Sequence, residues 1–512
     1  MNQPFSEYTR RDWVIAVLLT IFILLLVGMQ LTPGIPMWVG DAAAYLSEGI
    51  AISNGTLEEQ TAINCIMHPS PLPEEVHENR LVYVWGYPLL LSLVHQMVGF
   101  DMVNYSSIIF YKLPSLLAFS LMAGVLFLFY RRFFEEKLAV FLTLIFCAGS
   151  NIFLQVDTLL VDIFFLFIAL LSLWLAECFF ADLEKPISTG KKVLLIVCLA
   201  ISMWFTNQTR LNGSTVVLII LLSHILRLAE RKAKLSIRLL WVHLCPYAIY
   251  LILNVLSEWI LFPATPNVSD IGSITLSQFF TNCHYYLDKT CEYLNDLAGK
   301  IGLFPIPLLF LLVGFFKTGF RLRNLPYTVL LAGTYGVLVL LPYVQGLRYL
   351  YNVLPIIVLY TAWGGQAVFQ WLLSRKAVSP VLLRKGIAVA AAILLLLVYF
   401  PVLQSCVLNI TGSQDPADGD VYSKEAVEIY HYIQDNTEPD AVIAFMRPRL
   451  LYLNTGRISF APNVNHHKLE DADFFLDSDV PPFAEFSPTE EERAALEVAY
   501  QNKTFTLYKL QK

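Results

Sequence analysis

The sequence predicts an all-α polytopic membrane protein of about eleven transmembrane helices with a small extracytoplasmic α/β domain at its C-terminal end. Three observations carry this. Of 512 residues, 56% are hydrophobic and only 15% charged, whereas a soluble chain carries about a quarter charged; the mean hydropathy is +0.58. The apolar residues fall in runs close to the ~20 residues that a bilayer core requires. Near residue 406 the character changes: the remaining stretch holds 18 Asp and Glu against 9 Lys and Arg and alternates short helix and strand patterns. The predicted domains are therefore 1–405, transmembrane, and 406–512, soluble.

The apolar segments lie at about 13–31, 106–130, 138–154, 158–180, 192–207, 213–229, 239–262, 302–317, 325–343, 348–372 and 386–405. The first is long enough to span and lacks a small-residue cleavage site, so it reads as a signal anchor. Glycines and Pro305 and Pro307 interrupt some segments, which helix bundles tolerate when neighbours satisfy the backbone. The run 85–100 is set apart by charge. With eleven spans the inside loops hold 20 of the 35 Lys and Arg, among them Arg10, Arg11, Arg131, Arg132, Arg321 and Arg323. A twelfth span at 85–100 moves every later basic loop outside, against the positive-inside bias. That run is predicted to lie on or dip into the outer face. The first loop, 32–105, and the soluble domain are thus placed outside.

In the soluble domain, Ser423–Asn436 has helical spacing and Arg449–Thr455 is a short helix. Ala441–Phe445, Arg457–Phe460, Ala472–Leu476 and Thr504–Leu510 read as strands, and Thr489–Tyr500 as a capped helix with Glu492 three residues after Thr489. The acidic run Glu470–Asp479 reads as a solvated loop.

The eight cysteines lack metal spacing. Cys283 and Cys291 share one polar loop, and pairing between them stays open. His68, His77, His466 and His467 do not form a site by spacing, and there is no P-loop, GxGxxG or HExxH. A soluble nucleotide-using enzyme is excluded, and with a net charge of −6 no nucleic-acid partner is expected.

Ionisable residues near the outer membrane boundary are costly to bury and mark function. Asp41 opens Gly40–Gly55, with Tyr45, Glu48 and Ile52 at helical spacing. It is either an N-cap or a general base, and the two uses are compatible. Asp157 and Asp162 are five apart on one predicted helix, with Asp162 the deeper. They are structural acids, or site carboxylates that position an acceptor hydroxyl or hold a divalent cation, the one cofactor left open. Lys112, Arg210 and Arg348 are cations where positive charge is scarce, which suits a phosphate.

These pieces, in this order, resemble the GT-C-fold membrane glycosyltransferases, specifically the protein-O-mannosyltransferase-like and lipid A aminoarabinose transferase-like group. They are Asp41-x-x-x-Tyr45 leading to Gly55, Trp85-Gly-Tyr-Pro-Leu-Leu-Leu-Ser-Leu, Lys112-Leu-Pro-Ser-Leu-Leu with Arg131-Arg132, Asp157–Phe167, and Arg348-Tyr-Leu-Tyr-Asn-Val-Leu-Pro355. The resemblance covers about residues 10–400. Lys112 stands where an Arg is common, and the first loop carries a polar insertion between His68 and Gly86.

The resemblance implies a bacterial plasma (inner) membrane enzyme that transfers a sugar from a polyprenyl-phosphate carrier to a hydroxyl of a lipid, glycan or protein acceptor on the outer face, with inversion. Asp41 matches the acidic base, with Asp162 as a second catalytic carboxylate. Arg348 matches the arginine that meets carrier phosphate, and Tyr45, Asp157, Lys112 and Arg210 are the other expected substrate contacts. The alternative is a transporter or flippase of a lipid-linked saccharide.

Overall fold

A computed structural model of the chain describes residues 8–35, 40–67, 84–100, 107–182, 188–210, 212–230, 237–260, 274–341, 346–375, 379–411, 420–462, 468–478 and 496–510. The helices in chain order are α1 Arg10–Gly28, α2 Gly40–Asn54, α3 Leu57–Ile66, α4 Gly86–Val98, α5 Ile108–Tyr111, α6 Leu113–Arg131, α7 Glu136–Cys147, α8 Ser150–Leu154, α9 Asp162–Asp182, α10 Thr189–Thr209, α11 Gly213–Glu230 and α12 Ile237–Ile260. They continue with α13 Leu276–Leu297, α14 Pro305–Gly314, α15 Leu325–Val339, α16 Leu354–Ser374, α17 Pro380–Thr411, α18 Lys424–Asn436 and α19 Pro448–Thr455. Among the described residues six helices are long and apolar enough to cross a membrane, and a bent pair, Glu136–Cys147 with Ile152–Thr158, makes a seventh if it is one span. Four shorter apolar helices lie at Gly213–Ala229, Trp241–Ser257, Pro305–Gly319 and Leu325–Val339. Each of the eleven predicted segments falls on one of these.

The bundle closes on aromatic and aliphatic side chains from α1, α6, α7, α9, α11 and α16, among them Phe127, Phe146, Phe165 and Tyr360. Small residues bring backbones together: any side chain at Gly364 of α16 collides with the Phe310 carbonyl of α14. At the end of the bundle away from Asp41, buried Glu177 accepts from Arg227 and, at 2.7 Å, from the Tyr327 hydroxyl. Arg131 joins Asp12 there at 2.7 Å. Part of the basic charge that the sequence assigns to one face is thus tied into buried pairs.

At the opposite end α2 lies between α4 and α19. Gly49 makes the α2–α4 contact, because a Cβ there stands 2.8 Å from the Leu91 Cβ. Ala42, Ala43 and Leu46 of α2 share one apolar cluster with Leu91 of α4 and Leu450 and Leu453 of α19. The run 85–100 is a 13-residue helix packed on α2.

The C-terminal unit is a five-stranded sheet with α18 and α19. The strands are β1 Ile443–Ala444, β2 Ser459–Phe460, β3 Phe474–Ser478, β4 Glu497–Gln501 and β5 Phe505–Lys509, in the order β2-β1-β3-β5-β4. β1 pairs parallel with β2 and β3, and β5 antiparallel with β3 and β4. α19 is the crossover from β1 to β2, so its start stands at the carboxyl edge of the parallel strands, where α/β sheets present side chains to ligands.

Four expectations are corrected. Asp157 and Asp162 do not share a helix: Gln155–Thr158 is a 3-10 turn, Leu159 takes a left-handed conformation (φ 55°), and Asp162 opens α9. The loop after residue 262 contains α13, whose buried stripe Asn282, Tyr286, Thr290, Tyr293 and Leu297 has helical period but polar members that hid it. The pairing left open between Cys283 and Cys291 is not made: both lie on α13 as free thiols, and eight residues of helix put them ~12 Å apart, too far for a disulfide. In addition, 497–501 is β4, not the end of a helix, and 489–495 lies outside the described residues. Of the acidic run Glu470–Asp479, expected as a solvated loop, 474–478 is the inner strand β3 with Asp477 and Ser478 buried, and Asp479 lies outside the described residues.

Candidate active site

The charged side chains of the site issue from helix ends and turns. Asp41 lies in the first turn of α2, and Asp162 is the first residue of α9, where helix dipoles favour a carboxylate. Arg210 caps the C-terminus of α10 in extended conformation (φ −151°, ψ 146°). Arg348 and Tyr349 sit in the 3-10 turn Leu347–Val353, which gives way to α16 just before Pro355. Arg449 is in the first turn of α19.

These residues form a line of alternating charge. Arg449 Nη1 stands 3.7 Å from Asp41 Oδ1. Arg348 Nη2 donates to Asp41 Oδ2 at 2.8 Å, and its Nη1 lies 4.0 Å from Asp162 Oδ2. Asp162 Oδ1 accepts from Arg210. The guanidiniums of Arg210 and Arg348 lie 4.7 Å and 5.2 Å from the centroid of the Tyr349 ring, a cation–π arrangement that helps fix both. Burial pushes the pKa of Arg447, at the start of α19, below the usual arginine value while the charge of Asp41 opposes this; an arginine stays charged regardless.

Among the described residues three guanidiniums therefore meet two carboxylates, a positive surplus suited to an anion. Accessibility divides the roles. The Asp41 and Arg348 side chains are each 27% exposed, whereas Asp162 is 1% exposed. The reachable pair is Asp41 with Arg348; Asp162 holds Arg210 and Arg348 from beneath.

Of the residues picked from sequence, Asp41, Asp162, Arg210 and Arg348 come together. Tyr45 follows Asp41 by one turn, but it is covered and its ring meets Tyr87 edge-on at 5.3 Å. Lys112 and Asp157 are not brought into this line. Lys112 is fully buried; its Nζ donates to Asp157 Oδ1 at 2.6 Å and to the Thr32 carbonyl at 2.7 Å, with the Thr32 hydroxyl at 3.4 Å. Asp157 also accepts from the Thr32 amide at 3.0 Å and hydroxyl at 2.6 Å. An ammonium has three donors, and these are engaged in tying the chain after α1 to the start of α6.

Sequence reasoning missed Arg449 and the Tyr349 platform. Met446-Arg-Pro-Arg-Leu-Leu451 carried a signal: two of the tail's nine basic residues flank a helix-starting proline beside apolar residues. Among the described residues no three His, Cys, Asp or Glu side chains gather as metal ligands. His68, His77, His466 and His467 lie outside the described residues.

No protein-family model matches the sequence, and no curated protein sequence matches it. Solved structures do. ArnT from Cupriavidus metallidurans, bound to undecaprenyl phosphate, superposes with a TM-score of 0.57 at 13% identity over 98% of both chains. The Archaeoglobus fulgidus oligosaccharyltransferase in its apo form superposes at 0.53 and 12% identity, over 90% of this chain and 65% of that one. The archaeal oligosaccharyltransferase AglB from Archaeoglobus fulgidus, in complex with an inhibitory peptide and a dolichol-phosphate, superposes at 0.51 and 10% identity, over 88% of this chain and 65% of that one. The chain has the GT-C fold. The 98% coverage by ArnT takes in the C-terminal sheet, so the GT-C likeness spans the bundle together with the unit that carries Arg449.

Proposed function

We propose that this chain is a membrane glycosyltransferase. It takes a sugar from a polyprenyl-phosphate carrier and passes it to a hydroxyl of a lipid, glycan or protein acceptor on the extracytoplasmic face. The observation that carries the reading is the line from Arg449 to Arg210: a partly exposed carboxylate beside a cationic surplus, at the end of a GT-C bundle. ArnT is seen bound to undecaprenyl phosphate and AglB in complex with a dolichol-phosphate, and such a carrier fits here because its chain lies in lipid and its phosphate at the boundary.

In this reading Asp41 takes the proton from the acceptor hydroxyl as its oxygen attacks C1 of the sugar from the face opposite the phosphate. The C1–O bond breaks, its electron pair leaves with the phosphate, and the anomeric configuration inverts. A positioned base of this kind contributes roughly 10²–10⁴-fold. Arg348 and Arg210 stabilise the charge that grows on the departing phosphate. Asp162 acts through them as a positioning residue. Tyr45 shapes the wall behind Asp41, and Lys112 and Asp157 fasten the helix entries around it.

The flippase reading asks for charged groups at mid-membrane depth. Here the charges sit on helix ends at one side of the bundle, which favours surface chemistry. Purified protein in liposomes with labelled prenyl-phosphate sugars separates the two. Labelled product supports transfer; movement of carrier across the bilayer without product supports a flippase.

A further inference from the structure

We propose that Arg449, delivered by α19 of the C-terminal unit, is a ligand for the carrier phosphate, and that the phosphate draws Arg449 and Arg348 off Asp41, freeing the carboxylate to accept the acceptor's proton. The proposal rests on the glycosyl-transfer reading and adds the C-terminal unit to its active site.

Asp41 has one guanidinium at each oxygen, Arg348 at 2.8 Å from Oδ2 and Arg449 at 3.7 Å from Oδ1. Both oxygens thus face cations. The 3.7 Å separation from Arg449 is looser than a charge-assisted hydrogen bond of ~2.8 Å, so this cation is the one more readily transferred. Its side chain is only 7% exposed, and its Cδ lies 3.9 Å from where a Cβ on Gly40 would stand. The helix that carries it is fixed on α2 by Leu450 and Leu453, buried among Ala42, Ala43 and Leu46. The guanidinium is therefore held beside Asp41 by packing and needs no long search to reach a phosphate there.

Charge explains why a phosphate wins. The intact donor is a phosphodiester with one negative charge shared by two oxygens. When the C1–O bond breaks, the leaving group becomes a monoester with a further charge and another acceptor oxygen. Arg210 and Arg348 remain partly committed to Asp162. A third guanidinium supplies the donors that this extra charge calls for, and bidentate geometry suits it. Arg449 is thus expected to contribute more to the released carrier and the transition state than to the intact donor.

The test uses the full-length protein in nanodiscs and measures binding of a polyprenyl monophosphate alongside melting temperature and transfer kinetics. Arg449→Gln is expected to weaken monophosphate binding roughly 10- to 100-fold, in line with loss of a hydrogen bond to a charged group. It should lower kcat more than it raises the donor KM. Arg449→Lys, which keeps the charge, should recover part of both. Leu453→Ala, which loosens α19 but keeps Arg449, should lower the melting temperature and leave binding within about 3-fold, less than 1.4 kcal/mol. Wild-type binding in Arg449→Gln, or an equal loss in Leu453→Ala, overturns the proposal and reduces Arg449 to a docking contact. Failure of the unsubstituted protein to bind any prenyl monophosphate overturns the glycosyl-transfer reading itself.

Discussion

Arg348 and Asp41, 307 residues apart in sequence, meet through Nη2 and Oδ2 at 2.8 Å. The pair joins the first helix after the N-terminal span to the turn that opens α16, and it is the accessible part of the site. Its geometry makes Arg348 the partner of the proposed base, and the two side chains are equally exposed.

Arg348→Ala is therefore expected to reduce transfer by at least about 10²-fold, since it removes an electrostatic stabiliser of the leaving group. Arg348→Lys should recover little, because an ammonium replaces a two-pronged guanidinium with a single point of charge. Steady-state kinetics with varied donor check this; donor dependence equal to that of the unsubstituted protein removes Arg348 from the site.

Asp162 is a different kind of residue. It is buried under Arg210 and Arg348, and removing one partner of a buried pair leaves uncompensated charge costing about 3–5 kcal/mol. Asp162→Ala should lower the melting temperature and the activity together. Asp162→Asn, which keeps the shape, should retain more stability yet still weaken donor binding. Unfolding in detergent, measured beside donor binding, separates the two effects; an unchanged melting temperature in Asp162→Ala would contradict the assignment.

Lys112→Met tests whether the Lys112–Asp157 pair is a fastener. The expected result is a stability loss of about 3 kcal/mol, because Asp157 is left without its cation, with kcat per folded molecule close to normal. A variant of normal stability with a large rise in donor KM would return Lys112 to the phosphate site.

Much of this arrangement was legible in the sequence. Hydropathy and the basic loops located each of the eleven apolar segments, because lipid demands long apolar helices whatever their tertiary partners. Scarcity of charge pointed to Asp41, Asp162, Arg210 and Arg348, since an ion near a membrane boundary needs a reason to be there. The same logic also chose Lys112 and Asp157, which the fold pairs with each other away from that line; sequence does not say which partner a charge finds. Asp157 and Asp162 were misjudged because Leu159 takes a left-handed turn that no Gly or Asn announced. α13 was hidden by polar residues in its buried stripe, and β4 by a helix-capping pattern in front of it. Arg449 was passed over because its place beside Asp41 comes from how α19 docks on α2, a tertiary contact that the Arg-Pro-Arg pattern around Pro448 does not specify.

The central claim is that Asp41 is the base of a sugar transfer. The most direct measurement compares the unsubstituted protein and Asp41→Asn in nanodiscs with a labelled prenyl-phosphate sugar and a hydroxyl acceptor, scoring product and carrier-phosphate binding together. The expected result is labelled product from the unsubstituted protein, and in Asp41→Asn carrier binding retained with turnover reduced by roughly 10²–10⁴-fold. Turnover in Asp41→Asn equal to that of the unsubstituted protein would contradict the claim.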